Sequence, residues 1–326
     1  MAAFRPIAIF YEHPTWFNPL FGELERRGVP HHPVRAAEHQ FDPSAPPGGN
    51  GSAPLFFNRM SPSAWKRGNG RAIFHTLQYL AHLEEFRVPV VNGLQAFSYE
   101  VSKAAQVRLL EKLHLPVPRT RVVAHPSLLP SVAEELAFPL VVKPNVGGSG
   151  AGIVRFETRA ALASAVDGGR IEAGLDGVLL LQEYHPPRGA RIVRVETLEG
   201  RYLYGIRVHL ETDAGFDLCP ADICRTVDGL ELSGSACPAG AAKAGLRVEC
   251  FDPPAEIRTA VECIARAAGL DVGGIEYLES ERDGSLYFYD INALSNFVSD
   301  PVRVVGFDPT ARLVDALAAR AQGVPS

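Results

Sequence analysis

A glycine-rich segment between two apolar runs constrains this chain most: FPLVVKP, NVGGSGAG and IVRF follow one another over residues 138–156. The apolar runs predict two β-strands, and glycines between them let backbone amides approach and wrap phosphate oxygens. No Gly-Lys-Ser/Thr follows, and a strand stands where a dinucleotide fingerprint needs a helix, so neither of those phosphate sites is predicted. A flexible hairpin tip remains the alternative interpretation.

Lys143 directly precedes this glycine segment, and lysine is scarce in the chain, with 5 lysines against 27 arginines. A lysine at this place can meet a phosphate as a point charge. A solvated lysine at the end of a strand is the alternative. The segment therefore indicates a phosphate site without proving one.

Composition excludes several classes of protein. The chain has 326 residues, enough for two or three domains, and its formal charge of -5 argues against a general nucleic-acid or anionic-membrane binder. It has neither an apolar run long enough to span a bilayer nor a secretory signal at its start. Its 5 cysteines are an odd number without scaffold spacing, which favours a reducing cytoplasm.

Hydrophobic periodicity and turn residues predict an alternation of strands and helices. The predicted strands cover 5–11, 55–58, 89–93, 138–144, 153–156, 178–184, 192–198, 201–210, 273–280 and 286–292. The predicted helices cover 19–27, 71–86, 99–113, 158–166, a segment between a capping Asp252 and Gly269, and 309–321. Residues 211–247 lack periodicity, and a loop of this length is usually functional or mobile.

The last two strands predict a hairpin with a specific register. Their turn ends in Gly284, and a three-residue loop with that glycine in the left-handed region would pair Glu281 with Ser285. Counting back along both strands then places Glu276 directly opposite Asp290. A two-residue turn would instead send these two side chains to opposite faces.

Asn292 shares a face with Asp290, so the predicted register gathers two carboxylates and an amide. Facing like charges are destabilising unless a cation lies between them. These hard oxygen ligands suit Mg²⁺ shared with a nucleotide phosphate. Independent polar positions on a wet sheet face are the alternative.

The order of these motifs resembles the ATP-grasp superfamily, in particular the branch of glutathione synthetases and ribosomal-protein glutamate ligases. Lys103 lies on a helix ahead of LPVPRT, and VVKPNVGGSG, an apolar strand ending in QEY, two arginines, IEY and DIN follow in that order. The resemblance covers roughly residues 95–300. It implies an α/β fold, α+β in the grasp portion, with a small parallel α/β domain at 1–94, a central lid domain at 95–185 and a C-terminal domain at 186–326.

The resemblance also implies roles for individual residues. Lys103 and Lys143 would hold the ATP phosphates and adenine. The mobile loop would consist of Gly147, Gly148, Ser149 and Gly150, and the hinge that reads adenine would consist of Gln182, Glu183 and Tyr184. The magnesium ligands would be Glu276, Asp290 and Asn292. Arg194 and Arg207 would face phosphate and the acyl phosphate. The Asp and Glu ligands are exchanged relative to the usual order.

The chain departs from the family pattern at two places. An acidic residue for the ribose is not apparent in HPPRGARI, and the usual substrate loop is replaced by DLCPADICRTVDG, whose Asp222 and Arg225 are candidate substrate residues. Arg59 and Arg71 lie near the carboxyl end of a first-domain strand, where open α/β sheets bind ligands, and a guanidinium can clamp a carboxylate. Solvated arginines are the alternative.

A zinc site is a further candidate in the same region. Cys219, Cys224 and Cys237 follow His209, but structural zinc sites use closer cysteine pairs. Inert or buried thiols are the alternative interpretation.

The sequence thus predicts an ATP-dependent carboxylate–amine ligase that works through an acyl phosphate. ATP and Mg²⁺, or Mn²⁺ in its place, would be its cofactors. Its partners would be small-molecule or peptide carboxylates and amines, with an amino acid or peptide as substrate, and homo-oligomer formation stays open. A grasp-fold kinase and a nucleotide-binding protein without turnover are the competing hypotheses.

Overall fold

The computed structural model describes residues 5–48, 54–148, 150–210 and 247–323. A parallel sheet occupies the first part of the chain, with the strand order β2-β1-β3-β4. Its strands are β1 (Ile7–Tyr11), β2 (His31–Arg35), β3 (Leu55–Arg59) and β4 (Val90–Val91), and α1 (Asn18–Arg26) and α2 (Gly70–Glu85) connect them. A 3₁₀ helix at Pro62–Arg67 follows β3, so polar residues collect at the carboxyl end of this sheet.

The single helix predicted over 99–113 is wrong, because two helices occupy this region. They are α3 (Leu94–Glu100) and α4 (Lys103–Lys112). The Ser102 hydroxyl accepts a hydrogen bond from the Ala105 amide at 3.2 Å, which caps α4 and sets Lys103 in its first turn. Leu109 and Leu110 pack into a core with residues of the C-terminal sheet.

The central sheet is antiparallel, with the order β5-β8-β6-β7. Its strands are β5 (Thr120–Val123), β6 (Leu140–Pro144), β7 (Val154–Phe156) and β8 (Leu179–Glu183). The helices α5 (Leu129–Val132) and α6 (Arg159–Asp167) pack on it, together with 3₁₀ turns at Pro126–Leu128 and Ala133–Glu135. Leu129, Leu140, Phe156 and Leu162 form a core confined to this unit, which we call the lid.

The third sheet is antiparallel, with the order β11-β10-β9-β12-β13. Its strands are β9 (Arg191–Leu198), β10 (Arg201–His209), β11 (Arg247–Cys250), β12 (Val272–Glu279) and β13 (Leu286–Asn292), and α7 (Ala255–Ala268) packs on it. The Asp252 carboxylate does not cap α7; it accepts from Arg258 at 2.9 Å, while Pro254 holds the N-cap position. Gly269 ends the helix, as predicted, and takes the left-handed conformation.

The last helices, α8 (Pro301–Val305) and α9 (Pro309–Ala321), return the chain to the first sheet. Leu317 of α9 shares one hydrophobic core with Ile9 of β1 and Tyr204 of β10. The Arg5 amide also donates to the Ala321 carbonyl at 3.0 Å. The domain boundaries at 94/95 and 185/186 stay a prediction, although this core joins the first and third sheets. No helix within the described residues is long and apolar enough to cross a bilayer.

A bulge in β13 decides the register of the last hairpin. The predicted pairing of Glu281 with Ser285 is wrong, because the Ser280 amide donates to the Ser285 carbonyl at 2.8 Å. The ladder then shifts by one residue at Tyr289, which leaves Glu276 opposite Asp290. The predicted facing of the two carboxylates is confirmed, although the turn has one residue more than the sequence analysis assumed.

A second bulge turns Arg207 away from the face that carries Arg194. The β9–β10 ladder shifts between Tyr202 and Tyr204, so Arg207 pairs with Val193. A regular ladder from the turn would have paired it with Ile192, on the same face as Arg194. The expected position of Arg207 on the phosphate side is therefore wrong.

Candidate active site

One cavity lies between the lid, the C-terminal sheet and the carboxyl end of the first sheet. It is lined by most of the residues that the sequence predicted for nucleotide and metal: Lys103, Lys143, Gly147, Gly148, Gly150, Gln182, Glu183, Tyr184, Arg194, Glu276, Asp290 and Asn292. The fold therefore brings together the glycine loop, both lysines, the hinge and the carboxylate pair. Ser149, Asp222, Arg225 and the cysteines at 219, 224 and 237 lie outside the described residues.

Lys143 projects from β6 into this cavity, where it is buried. Its Nζ donates to Gln182 Oε1 at 2.8 Å, and Gln182 Nε2 donates to Thr120 Oγ1 at 2.7 Å. Burial, with the positive charge of Lys103 adding to it, lowers the pKa of Lys143 to about 7. An incoming phosphate would supply the anionic partner that this amine lacks and would raise its pKa again.

The hinge after β8 is fixed by backbone hydrogen bonds on both sides. The Glu183 amide donates to the Arg119 carbonyl and the Tyr184 amide to the Pro139 carbonyl, both at 2.9 Å. These amides are therefore unavailable to adenine. Within the described residues the next amide, that of His185, has no hydrogen-bond partner, so it is better placed to meet a base.

Two ion pairs cross the predicted metal face. Lys103 Nζ lies 2.6 Å from Asp290 Oδ1, and Arg194 NH1 lies 2.9 Å from Glu276 Oε1. The Tyr289 hydroxyl also donates to Glu276 Oε2 at 2.9 Å. Each carboxylate thus has a cation beside it, which relieves the repulsion expected between them, although Arg194 also lies 2.6 Å from Glu196 Oε1.

The two carboxylates titrate in opposite directions. Burial and the nearby Asp290 charge raise the pKa of Glu276, although Arg194 opposes the shift. Burial would also raise the pKa of Asp290, but the charge and hydrogen bond of Lys103 outweigh it, and the pKa of Asp290 is lowered. Asp290 is thus held ionised.

The donor set on this face fits Mg²⁺. Asn292 Nδ2 donates weakly to Asp290 Oδ2 at 3.4 Å, which leaves the amide oxygen of Asn292 available beside the carboxylates. The described ranges contain no group of three or more His, Cys, Asp and Glu residues suited to a metal. Two carboxylates and one amide oxygen suit an ion that keeps waters and binds substrate phosphates.

Three of the predicted arginines, Arg207, Arg71 and Arg59, do not line the cavity, and their surroundings differ. The Arg207 guanidinium stacks 3.8 Å from the centre of the Phe251 ring and lies 3.6 Å from Glu249. Arg71 is exposed in the first turn of α2, away from the cavity lining. Both expected roles are therefore unsupported.

Arg59, in contrast, is buried at the carboxyl end of β3. Its NH2 donates to the Ser295 carbonyl and, at 2.8 Å, to Asn296 Oδ1. Its Nε and NH1 have no hydrogen-bond partner within the described residues. Of the predicted substrate residues that can be placed, Arg59 alone lies against the site.

Several residues that line the cavity were not predicted from the sequence. They are Trp16, Ser61, Ser63, Glu100, Asn296 and Phe297, among others. The rule that ligands bind at the carboxyl ends of parallel strands would have found Trp16 and the two serines, which follow β1 and β3. Nothing in the sequence marked Glu100, because its role depends on a distant contact.

Glu100 anchors the segment that follows the metal face. Its carboxylate accepts hydrogen bonds from the Ala293 amide and, at 3.1 Å, from the Leu294 amide. Burial raises the pKa of Glu100 to about 7, although these amides oppose the shift. Glu100 therefore positions the backbone next to Asn292.

Comparisons with known proteins agree with the geometry of the site. No protein-family model matches the chain. A D-alanine--D-alanine ligase from Polaromonas naphthalenivorans is 26% identical over 149 residues, which cover 40% of this chain and 45% of that protein. The chain therefore spans less than half the length of this curated relative.

Solved structures match over nearly the whole chain. The ATP-grasp ligase PsnB, complexed with a minimal precursor, superposes with a TM-score of 0.64 at 19% identity, covering 98% of this chain and 100% of that one. The D-cycloserine synthetase DcsG superposes with a TM-score of 0.66 at 17% identity, covering 97% and 99%. The chain has the ATP-grasp fold. The ATP-grasp resemblance in the sequence and the predicted fold class are confirmed, with the lid carrying the glycine loop and the C-terminal sheet the carboxylates.

Proposed function

We propose that the chain is an ATP-dependent carboxylate–amine ligase that forms an amide bond through an acyl phosphate. One observation carries the proposal: a single cavity joins the phosphate-binding elements of the lid to the carboxylate pair and Arg194 of the C-terminal sheet. A site that transfers the γ-phosphate needs both halves, since it works by positioning and charge neutralisation.

The lid side would hold the nucleotide. The amides of Gly147, Gly148 and Gly150 would surround the phosphates, and Lys143 would meet them with a charge regained on binding. Lys103, in the first turn of α4 and 2.6 Å from Asp290, would bind the phosphates from this position. The His185 amide would read the adenine edge beside Gln182.

Bound Mg²⁺ would neutralise charge on the transferred phosphoryl group, and Mn²⁺ offers the same coordination chemistry. Glu276, Asp290 and Asn292 would hold it. Arg194, which lies opposite Glu276 on the neighbouring strand, would face the acyl phosphate. The ion pairs with Lys103 and Arg194 keep the two carboxylates close without a metal.

The nature of the relatives supports an amino acid or a peptide as substrate. The similar proteins include a D-alanine--D-alanine ligase and a D-cycloserine synthetase, and the similar PsnB structure is a complex with a minimal precursor. The odd, unscaffolded set of cysteines supports a cytoplasmic location.

Phosphate release tests the proposal most directly. With Mg-ATP, release should require both a carboxylate and an amine from a panel of amino acids and dipeptides, and mass spectrometry should find the amide product. Lys143→Ala should remove most of the activity, while Lys112→Ala, at the end of α4, should not.

Two other outcomes would contradict the ligase. ADP formation that needs a carboxylate but no amine, with a stable phosphorylated product, would indicate a kinase. Nucleotide binding without turnover over the whole panel would indicate a binding protein.

A further inference from the structure

One wall of the cavity takes no part in the nucleotide or metal site. It is built by the segments that follow β1, β3 and β13, and we call it the Trp16 wall; it consists of Trp16, Ser61, Pro62, Ser63, Asn296 and Phe297. The glycine loop reaches this wall, because a Cβ built on Gly148 would lie 3.0 Å from Ser63 Cβ. The wall is therefore next to the loop that would surround the phosphates.

The six side chains of the Trp16 wall are all uncharged. Charged residues lie behind it, but Glu12, Arg67 and Arg59 do not line the cavity. The Glu12 carboxylate is buried and accepts from Arg67 Nε at 3.0 Å. Arg59 NH2 donates to Asn296 Oδ1 at 2.8 Å from the side away from the cavity. A charged group on a substrate would therefore find no partner at this wall and would lose its hydration.

The indole of Trp16 is held in one orientation. Its ring stacks on the His13 ring with 4.0 Å between the ring centres and 9° between the planes. His13 Nδ1 accepts from the amides of Thr15 and Trp16, both at 3.3 Å, which fixes the turn after β1. The guanidinium carbon of Arg67 lies 5.6 Å from the indole centre. The half-buried indole thus offers the cavity an aromatic surface that needs no ordering when a ligand binds.

Phe297 supplies a second fixed ring from the segment after β13. It is buried, and its amide donates to Ser295 Oγ at 3.2 Å. Arg59 joins this segment to the first sheet, since its guanidinium carbon also lies 5.1 Å from the ring centre of Phe17, the residue after Trp16. Aromatic rings with a few hydroxyl and amide groups are the usual lining of a site for a largely apolar ligand.

The acid substrate of a ligase has to approach this wall. Its carboxylate oxygen must come within about 3–3.5 Å of the γ-phosphorus before the phosphoryl group can transfer. Lys143 and the carboxylate pair enclose the phosphates from the lid and from the C-terminal sheet, whereas the glycine loop meets the Trp16 wall. The remainder of the acid therefore has to lie against the Trp16 wall.

We propose that the Trp16 wall binds the side group of the acid substrate, and that this group is an uncharged aromatic ring. The ring packs against Trp16 and Phe297, in the offset or edge-to-face arrangements that aromatic pairs prefer. The proposal rests on the proposed ligase function and names the chemical class of its acid substrate.

Tryptophan fluorescence tests the contact without turnover. The chain has two tryptophans, and Trp65 does not line the cavity, so Trp65→Phe leaves Trp16 as the single reporter. This protein, saturated with Mg²⁺ and a non-hydrolysable ATP analogue, is titrated with 3-phenylpropionate, butyrate and glutarate. Phenylalanine, 2-aminobutyrate and glutamate carry the same three side groups next to an amino group. In each set the aromatic acid should change the fluorescence and bind at least about tenfold more tightly than the other two.

Matched variants assign this preference to the indole. By calorimetry, Trp16→Ala should weaken binding of the aromatic acid by at least about tenfold and reduce the preference over butyrate or 2-aminobutyrate accordingly. Trp16→Phe keeps a ring and should retain most of the preference. Trp65→Phe should behave as the wild-type chain. The ATP analogue should bind all three variants equally well, and circular dichroism checks that each is folded.

Three outcomes would overturn the proposal. They are no binding of either aromatic acid by the analogue-bound protein, binding of the aliphatic or dicarboxylic acids that is as tight as that of the aromatic ones, and an aromatic preference that survives Trp16→Ala. Failure of the proposed ligase function looks different. The ATP analogue would then not bind, or the acids would bind but cause no phosphate release with Mg-ATP and the amine panel.

Discussion

At the scale of single residues, the site is a set of charges, most of which have an opposite charge beside them. Lys103 pairs with Asp290, and Arg194 pairs with both Glu276 and Glu196. Lys143 instead has an uncharged partner, Gln182, and its pKa falls to about 7. The nucleotide site is therefore short of positive charge until an anion arrives.

The lowered pKa of Lys143 predicts proton uptake when nucleotide binds. At pH 7.5 the amine is largely neutral, and phosphate should return its pKa upward, so between about half and one proton should be taken up. Calorimetry of Mg-ADP binding in buffers of different ionisation enthalpy measures this number. Lys143→Arg keeps its charge and should bind without uptake; the same uptake in both proteins would contradict the assignment.

The same shift has a consequence for stability. An unfolded chain keeps lysine protonated up to about pH 10.4, whereas folded Lys143 loses its proton near pH 7. The folded state thus binds fewer protons across that window, so this group makes the free energy of unfolding rise with pH between about 7 and 10.

Asp290→Asn should destabilise the protein in the absence of nucleotide, because it leaves the buried charge of Lys103 without an anionic partner. The pair is about one-fifth exposed, so we expect a loss of about 1–3 kcal/mol in the free energy of unfolding at pH 7. The folded pKa of Asp290 is lowered, so the difference should be present above about pH 4 and fade as the pH falls through the folded pKa.

Urea denaturation without metal provides the measurement. Asp252→Asn, in an exposed pair with Arg258, is the control and should cost less than about 0.5 kcal/mol. A stabilised Asp290→Asn protein would mean that repulsion from Glu276 outweighs the attraction of Lys103.

At the scale of elements, two bulges explain where sequence analysis succeeded and failed. The turn is one residue longer than predicted, and the bulge at Tyr289 shifts the ladder back by one residue. Asp290 therefore still faces Glu276. The β10 bulge had no such compensation and turned Arg207 toward Phe251. Local sequence carries no marker of either shift, since a bulge depends on how both strands pack.

Other elements followed their local residues closely. The final helix has the predicted bounds, because Pro309 opens it and Asp308 accepts from the Thr310 amide at 2.8 Å. The break between α3 and α4 was missed, because the apolar periodicity continues across Ser102. The residues proposed for nucleotide and metal could be picked out from motifs, and they line one cavity, whereas Glu100 depends on a contact with a distant segment.

The glycine loop also makes a testable element. A Cβ built on Gly148 would lie 3.0 Å from Ser63 Cβ and 3.1 Å from the Ser63 amide nitrogen, whereas one on Gly147 would meet nothing closer than 3.5 Å. Gly148→Ala should therefore push the loop away from the first domain and weaken Mg-ATP binding by about tenfold. Gly147→Ala should bind nearly as well as wild type.

Calorimetric titration of Mg-ATP compares the two variants directly. Both substitutions keep the backbone amide, so a difference between them reports steric closure and not a lost phosphate contact. Equal affinities would show that the loop closes without touching Ser63.

At the scale of the whole molecule, cores and not sheets define the cooperative units. One core joins β1, β10 and α9, while the lid has a separate core. The first and third sheets should therefore unfold together, and the lid should open on its own.

Two leucines test this division. Leu317, in the shared core, and Leu162, in the lid core, are 1% and 0% exposed. Each change to Ala should lower the free energy of unfolding of its own unit by about 2–5 kcal/mol. Leu317→Ala should lower amide-exchange protection in both β1 and β10. Leu162→Ala should lower it in β6 and β8 only; loss of protection in all four strands for either variant would show a single cooperative unit.

The return of α9 to the first sheet also matters during synthesis. The strands β1 and β3 leave the ribosome early, but the helix that covers their apolar residues emerges only after the lid and the C-terminal sheet. At a synthesis rate of about 5–20 residues per second, this interval is on the order of tens of seconds. The nascent chain would expose Ile9 and its neighbours throughout, which makes it a natural client for chaperones that hold unfinished proteins.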